Sequence, residues 1–244
     1  MLRTFSSLLV LVVGIAFAAA QTPAPKPVRI LFVGNSLTSS TDIPARVQKV
    51  AESTGRKAVV ESVAFASFSL EDHWRDGRAL EAIRKGWDVV VLQQGGSAQD
   101  ADRAELLDYA RRFAKPIREA GAKPALYMVW PLVDRPRDFP AVVESYRAAA
   151  KDIDALLIPA GEAWLRALAK EPRLRLYSDG MHPSSFGSDI ASLTIYLALF
   201  PAGPQEFDEA FVAKVARALE IPDARRDAFF DAATLSIDSP LPFK

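Results

Sequence analysis

A buried strand, a tight turn and the start of a helix follow one another in Ile30-Leu31-Phe32-Val33-Gly34-Asn35-Ser36-Leu37-Thr38. The four apolar residues are typical of a strand with both faces buried, and Gly34 with the polar pair behind it is typical of a turn. A serine in that turn lies at the carboxyl edge of a sheet, where open α/β folds bind their ligands. The N–H groups of the next helix point towards it. Ser36 is therefore a candidate nucleophile with part of an oxyanion hole beside it, although Gly-x-Ser is also a common structural turn.

A second polar stretch, far along the chain, contains a candidate partner for Ser36. It reads Tyr177-Ser178-Asp179-Gly180-Met181-His182-Pro183, and the whole chain has only two histidines. In a Ser-His-Asp triad the acid orients the imidazole, and the imidazole takes the serine proton. An Asp and a His on one rigid loop suit that work, whereas a capped loop without chemistry is the alternative. Together with Ser36, Asp179 and His182 predict a catalytic triad.

The motifs Gly34-Asn35-Ser36-Leu37 and Asp179-x-x-His182-Pro183 resemble those of the SGNH (GDSL-type) hydrolases. The family's usual Gly-Asp-Ser-Leu is Gly-Asn-Ser-Leu here, as in some of its branches, and the serine is kept. The resemblance spans most of the mature chain. It implies an α/β/α sandwich esterase or acetylesterase with its nucleophile after the first strand and its Asp and His on one late loop. No cofactor and no metal are implied.

The hydrophobic pattern alternates between strands and helices five times. Strands are predicted at 30–33, 57–63, 88–92, 125–130 and 155–158. Helices are predicted at 42–54, from near 73 to 85, at 102–120, 141–153, 162–169 and 184–200, with one or two short helices after 203. This alternation predicts an α/β fold, a three-layer α/β/α sandwich around a five-stranded parallel sheet in flavodoxin-like order.

The family's second motif normally contains a glycine whose backbone N–H joins the oxyanion hole. The corresponding stretch of this chain, 64–74, contains no glycine. We align Ser67 with the family's glycine, and Ala66 is the neighbouring alternative. A backbone donor survives the substitution, but a positive φ here would cost a residue with a side chain conformational energy.

The family's third motif carries an asparagine whose side chain donates to the oxyanion, and some branches use a glutamine. In this chain the clearest strand, 88–92, runs into Gln93-Gln94-Gly95-Gly96-Ser97. Either Gln93 or Gln94 can present an amide N–H. Because neighbouring strand residues point to opposite faces, only one should face the site, and Gln93 is preferred because it directly follows the strand. The alternative is a polar glycine-containing loop without a catalytic role.

Two further residues near this sheet edge have more than one interpretation. His73 could contact substrate, or it could bind a metal together with Asp72. A zinc site usually needs three or four protein ligands, and the chain has only two histidines, so a packed or capping role is favoured. Trp130 could be a platform for a sugar, but a tryptophan at the end of a strand is more often part of the core. Neither residue is included in the predicted site.

The composition describes a neutral globular chain. Its 244 residues, half of them hydrophobic, suit one domain with a sizeable core. Thirty basic and thirty acidic residues cancel, which argues against nucleic acid or an anionic membrane surface as a partner. A small-molecule or carbohydrate ester fits better, and the oligomeric state is left open.

The first residues have the pattern of a secretory signal peptide. Arg3, an apolar run at 8–17 and three alanines before Gln21 predict a signal at 1–20. The apolar run is too short to span a membrane comfortably, so no span is expected after cleavage. Residues 21–27 are a Pro-rich spacer, and 28–244 form the predicted domain. The absence of cysteine permits the periplasm or the exterior.

The sequence therefore predicts a secreted or periplasmic serine esterase for acetyl or other short acyl esters, with Ser36, Asp179 and His182 as its triad. Ser36, Ser67 and one of Gln93 and Gln94 would bind the oxyanion. Two alternatives remain open: an acyltransferase with the same triad, and a carbohydrate-binding relative without catalysis.

Overall fold

Five parallel strands form a single sheet in the order β2-β1-β3-β4-β5 in the computed structural model, which describes residues 26–201 and 207–242. The strands are β1 Val28–Gly34, β2 Ala58–Ala64, β3 Val89–Leu92, β4 Lys123–Tyr127 and β5 Leu156–Ile158. This order confirms the predicted flavodoxin-like sheet. The predicted signal peptide at 1–20 and the first part of the spacer, 21–25, lie outside the described residues.

Helices cover both faces of the sheet. They are α1 Ser36–Ser39, α2 Ile43–Ser53, α3 Leu70–Asp76, α4 Arg78–Ile83, α5 Asp100–Glu119, α6 Phe139–Asp152, α7 Ala160–Lys170, α8 Ser185–Leu199, α9 Glu209–Leu219 and α10 Asp223–Asp238. Helices α1, α2 and α7–α10 pack together on one face, and α3–α6 pack on the other. Two helical layers with the parallel sheet between them form the predicted three-layer sandwich.

Strand β1 lies inside the sheet, between β2 and β3, and both of its faces are apolar. Ile30, Leu31, Phe32 and Val33 are fully buried. A strand with no polar side chain in this run can only be accommodated between two helical layers. The turn that follows it is therefore held at a well-packed position of the molecule.

Strands β2 and β3 end level with β1. Phe65 N–H donates to the Gly34 carbonyl at 3.2 Å, and Gln93 N–H donates to the Val33 carbonyl at 2.8 Å. The loops after these three strands therefore leave the sheet side by side at its carboxyl edge, and this places Ser36 between the second and third motifs.

Strand β4 is shorter than the sequence pattern predicts. The expected strand at 125–130 ends at Tyr127, because its neighbour β5 has only three residues. Beyond the strand, Met128 N–H still donates to the Ile158 carbonyl at 3.0 Å, and the Met128 carbonyl accepts from Gly161 N–H at 3.0 Å. The backbone beyond it packs so closely on Gly161 that a Cβ there would overlap a carbonyl oxygen. The chain therefore leaves the sheet three residues early and runs towards the candidate site.

The predicted helix ending at 85 is two helices. It begins at Leu70, capped by the Ser69 hydroxyl, and it is interrupted at Gly77, which has a φ of 87° and ends α3. His73 therefore lies in the middle of α3 and not at a helix start. No helix among the described residues is long and apolar enough to span a membrane.

Candidate active site

Ser36, His182 and Asp179 are joined by hydrogen bonds, although 146 residues separate the serine from the histidine. His182 Nε2 lies 2.9 Å from Ser36 Oγ, and His182 Nδ1 lies 2.7 Å from Asp179 Oδ2. The structure thus brings together the three residues that the motifs indicate, in the order acid, imidazole and hydroxyl. In this arrangement the imidazole can take the serine proton while the carboxylate holds its other nitrogen.

The position of Ser36 follows from its place at the first residue of α1. Asn35 caps this helix with an extended backbone, and its Oδ1 accepts from Leu37 N–H at 3.0 Å. The Ser36 N–H has no acceptor among the described residues, as expected for the first turn of a helix. Ser36 therefore presents both a hydroxyl and a free backbone donor at the sheet edge.

The loop that carries Asp179 and His182 is closed by its own hydrogen bonds. Ser178 N–H donates to the His182 carbonyl at 2.9 Å, and an isolated bridge pairs Tyr177 with Pro183. Gly180 takes a φ of 93° at the tip, a conformation that favours glycine. The loop is therefore rigid without being part of the sheet.

Asp179 is held as a carboxylate. Its Oδ1 accepts from the N–H groups of His182 at 2.8 Å and Met181 at 3.0 Å, while its Oδ2 faces the imidazole. The backbone N–H of His182, followed by its side chain and the N–H of Met181, lowers the pKa of Asp179 to about 2. The carboxylate can therefore orient the imidazole throughout the neutral pH range.

The segment after β4 braces this loop from behind. Trp130 Nε1 donates to the Met181 carbonyl at 3.0 Å, and Val133 N–H donates to the Gly180 carbonyl at 2.9 Å. Trp130 is only 3% exposed, and its ring is stacked on Trp164 with centroids 3.4 Å apart. One ring face is therefore covered by another tryptophan, which agrees with the packing interpretation of Trp130 and leaves that face closed to a sugar.

Ser67 lies in the cleft beside Ser36, whereas Ala66 does not line it. Its φ is 64°, the left-handed conformation that glycine adopts without strain. Its N–H has no acceptor among the residues that the structure describes. Asn35 Nδ2 fixes the next residue by donating to the Phe68 carbonyl at 3.1 Å. Ser67 therefore presents a backbone N–H beside Ser36, and its own side chain is carried by a strained backbone conformation.

Gln93 faces the serine turn, but both of its amide hydrogens are already used. Its Nε2 donates to Asn35 Oδ1 at 3.0 Å and to the Gln94 carbonyl at 2.7 Å. Its Oε1 accepts from Asn35 N–H at 2.9 Å and from the Thr38 hydroxyl at 2.8 Å. Gln93 is 1% exposed and does not line the cleft. In this arrangement it holds the turn in place and offers no free N–H to an oxyanion.

Gln94 points to the opposite face of the sheet, as the alternation of strand residues requires. Its Oε1 accepts from Leu70 N–H at 3.1 Å, and its Nε2 lies 3.3 Å from the Asp102 carbonyl. Gln94 therefore joins the beginning of α3 to α5. Neither glutamine amide is placed as an oxyanion donor, because buried side-chain amides satisfy the backbone groups nearest to them.

His73 lies beneath the serine turn and is fully buried. Its Nε2 lies 2.7 Å from the Gly34 carbonyl, and its Nδ1 has no partner among the described residues. Burial lowers its pKa, although the Gly34 carbonyl and the carboxylates of Asp76 and Asp72 act in the opposite direction. His73 is therefore a neutral imidazole that donates to Gly34, and it supports the site through the backbone and does not line the cleft.

A cleft of about 220 Å³ opens beside Ser36 at the carboxyl edge of the sheet. Its walls come from the loops after β1, β2, β3 and β4. They include Gly95 and Gly96, the apolar residues Trp130 and Val142, and the charged residues Arg135 and Asp138. The cleft can bind a small group beside the Ser36 hydroxyl, and His182 Nε2 can accept the proton of that hydroxyl.

One residue of the site could not be found from the sequence. Tyr146 lies inside α6, fully buried, and its hydroxyl donates to the Gln94 carbonyl at 2.7 Å. In the sequence it is one aromatic residue within an amphipathic helix, and nothing there indicates that it reaches the loop after β3. Its contact depends on the packing of α6 against the sheet.

No family model matches the sequence, and no curated protein matches it. Solved structures do match. A candidate SGNH hydrolase from Slackia heliotrinireducens is 26% identical with a TM-score of 0.62, and the match covers 71% of this chain and 100% of the other. A DUF4886 family protein from Bacteroides uniformis is 18% identical with a TM-score of 0.65, covering 87% and 97%.

A variant of an acetyl xylan esterase from Geobacillus stearothermophilus also matches. It is 14% identical with a TM-score of 0.52, and the match covers 77% of this chain and 94% of the esterase. At such identities the likeness concerns the fold. The chain has the α/β/α fold of the SGNH hydrolases, which confirms the resemblance that its two short motifs indicate.

Proposed function

We propose that this chain is a serine esterase that removes acetyl or another short acyl group from a small or carbohydrate ester. The observation that carries this proposal is the hydrogen-bonded series Ser36–His182–Asp179 beside the cleft. Many folds hold one or two of these residue types close together. All three in series form the arrangement in which a histidine, oriented by a carboxylate, activates a serine hydroxyl to take an acyl group from an ester.

The reaction begins when Ser36 Oγ attacks the ester carbonyl carbon and His182 Nε2 accepts the serine proton. The carbonyl π electrons move onto oxygen, and the resulting oxyanion is met by the free N–H groups of Ser36 and Ser67. Collapse of this intermediate expels the alcohol, which receives the proton from His182. Asp179 stabilises the imidazolium throughout.

The acyl group then remains on Ser36 Oγ as an ester. Water enters, gives a proton to His182 and attacks the acyl carbon, and a second tetrahedral intermediate forms in the same oxyanion hole. Its collapse releases the carboxylic acid and returns the proton to Ser36. The chain's own residues hold or move every proton in this cycle.

The size of the cleft supports a short acyl group. Its volume of about 220 Å³ lies below the roughly 300–1,000 Å³ of pockets that enclose drug-sized ligands. A protein described as an acetyl xylan esterase shares this fold, and we therefore include a carbohydrate among the alcohols to be tested. The signal-like pattern at 1–20 supports action outside the cytoplasm.

The substrate is tested with p-nitrophenyl esters of increasing acyl length and with acetylated xylan, measuring the acid released. We expect acetate to be released from both substrate types and kcat/KM to fall steeply with chain length. Each reaction is repeated with a free sugar as acceptor, because acyl transfer would yield an acylated sugar in place of free acid. A preference for long acyl chains, or no hydrolysis at all, would contradict the proposal.

A further inference from the structure

Since the amide hydrogens of Gln93 and Gln94 are engaged elsewhere, the loop after β3 lacks the side-chain donor that the sequence pattern predicts. We propose that the backbone N–H groups of Gly95 and Gly96 complete the oxyanion hole in its place. This inference rests on the proposed function, because it concerns the charge that develops when Ser36 attacks an ester.

The direction of these N–H groups follows from the carbonyl groups that precede them. The buried Tyr146 hydroxyl lies 2.7 Å from the Gln94 carbonyl oxygen and 3.0 Å from the Gly95 carbonyl oxygen. Ser97 Oγ also donates to the Gly95 carbonyl, at 3.1 Å. Both carbonyl groups are thus held towards the protein interior.

In a trans peptide the N–H points away from the carbonyl of the same unit. The Gln94 carbonyl therefore sets the direction of Gly95 N–H, and the Gly95 carbonyl sets that of Gly96 N–H. Both N–H groups point away from Tyr146, and both glycines line the cleft together with Ser36 and Ser67. Neither N–H has an acceptor within the described part of the chain.

Both donors belong to glycines, but the space around an added Cβ differs between the two. An added Cβ at Gly95 would meet nothing within 4 Å, so that side of the residue is open space. An added Cβ at Gly96 would lie 3.3 Å from both the Trp130 carbonyl oxygen and Val142 Cγ2. Backbone donors that are fixed by buried hydrogen bonds are already oriented before charge develops, and this is the property that oxyanion stabilisation requires.

The test removes each N–H without changing a side chain. Glycolic acid is incorporated in place of glycine at position 95 or 96 by translation with an acylated suppressor tRNA, so that an ester replaces one peptide bond. The control carries the same ester at Gly86, an exposed glycine with φ 79° and no neighbour within 4 Å of an added Cβ. Intact mass confirms each product, and hydrolysis of p-nitrophenyl acetate is then measured.

We expect the ester at 95 or 96 to lower kcat by roughly tenfold to a thousandfold while KM changes by less than about threefold, and the control to match the unmodified protein. If both esters kept the kcat of the control, the inference would be wrong while the proposed function stood. If the unmodified protein hydrolysed no ester, the proposed function and this inference would both fail.

A second variant tests the orientation of the two peptides. Tyr146→Phe removes only the hydroxyl that holds the Gln94 and Gly95 carbonyls. We expect kcat per folded molecule to fall while KM is little changed, with the folded fraction measured by circular dichroism. A lower melting temperature with unchanged kcat would show a structural role only and would count against the inference.

Discussion

Gln93 holds Asn35 at two points: its Oε1 accepts from the Asn35 backbone N–H at 2.9 Å, and its Nε2 donates to Asn35 Oδ1 at 3.0 Å. The side chain passes directly over Gly34, where an added Cβ would lie 2.5 Å from Gln93 Oε1. The glycine of the Gly-Asn-Ser-Leu motif is therefore needed to admit the glutamine, and the glutamine fixes the residue before the candidate nucleophile.

Gln93→Ala should lower both stability and turnover. The change leaves the Asn35 N–H and the Thr38 hydroxyl without their buried acceptor, at a cost of about 1–3 kcal/mol for each unsatisfied group. Turnover should fall because the serine turn loses its support. Urea denaturation and kcat are measured side by side, with Gln94→Ala as the comparison. A Gln93→Ala protein as stable as wild type would show that the turn does not depend on this contact.

Asn35→Asp should impair the site, even though aspartate is usual at this position of the motif. The carboxylate can still cap Leu37, but it cannot donate to the Phe68 carbonyl, which Asn35 Nδ2 contacts at 3.1 Å. Two acceptor oxygens would then face each other in a nearly buried position. We expect kcat to fall by about tenfold or more and the unfolding free energy by roughly 1–3 kcal/mol.

The comparison for this variant is Asn35→Ala, which loses the helix cap as well. If Asn35→Asp had the activity and stability of wild type, the Phe68 contact would have no role in holding the Ser67 loop.

Ser67→Gly should keep activity and raise stability slightly. The φ of 64° at this position strains any residue with a side chain, by about 1–2 kcal/mol, and the added freedom of glycine in the unfolded chain offsets roughly 0.4–1 kcal/mol. The backbone N–H is retained, so the proposed oxyanion donor is unchanged. Thermal melts and kcat test this. Ser67→Val is the matched opposite, because a β-branched side chain should destabilise the same backbone conformation. Equal melting temperatures for the two variants would contradict the conclusion that the backbone at position 67 is strained.

His73 should make the protein sensitive to acid. Burial lowers its pKa in the folded protein, so below about pH 6.5, the ordinary value for histidine, the unfolded chain binds more protons than the folded one. The resulting stability is present above that pH and is lost as pH falls. We expect urea denaturation between pH 8 and 5 to show a larger loss of unfolding free energy for wild type than for His73→Gln. Parallel pH profiles for the two proteins would mean that His73 does not titrate on unfolding.

The sequence predicted the parts of the molecule that depend on local pattern. The apolar run of β1, the turn at Gly34 and the Asp179–His182 loop each carry their signal within a few residues, and the alternation of strands and helices sets the sheet order. The role of Gln93 could not be read in the same way. Its amide is chemically suited to an oxyanion, and only the fold shows that Asn35 and Gln94 take up its two hydrogens.

Two other features depended on tertiary packing. The positive φ of Ser67 is rare for serine, so the residue type gives no signal for it. Tyr146 lies 52 residues along the chain from the loop after β3 that it contacts. Hydrophobic periodicity predicts local elements and cannot predict a contact over that separation. Strand β4 was predicted too long because its apolar residues continue beyond Tyr127, while its partner β5 ends.

The central claim is that Ser36 is the nucleophile of an ester hydrolase, and the most direct measurement compares the hydrolysis of p-nitrophenyl acetate by wild type and Ser36→Ala. Ser185→Ala, which changes an exposed serine at the start of α8, is the control. We expect wild type and the control to hydrolyse the ester equally well, and Ser36→Ala, folded normally, to lose at least about a thousandfold in kcat. Wild-type turnover by a folded Ser36→Ala protein would contradict the assignment.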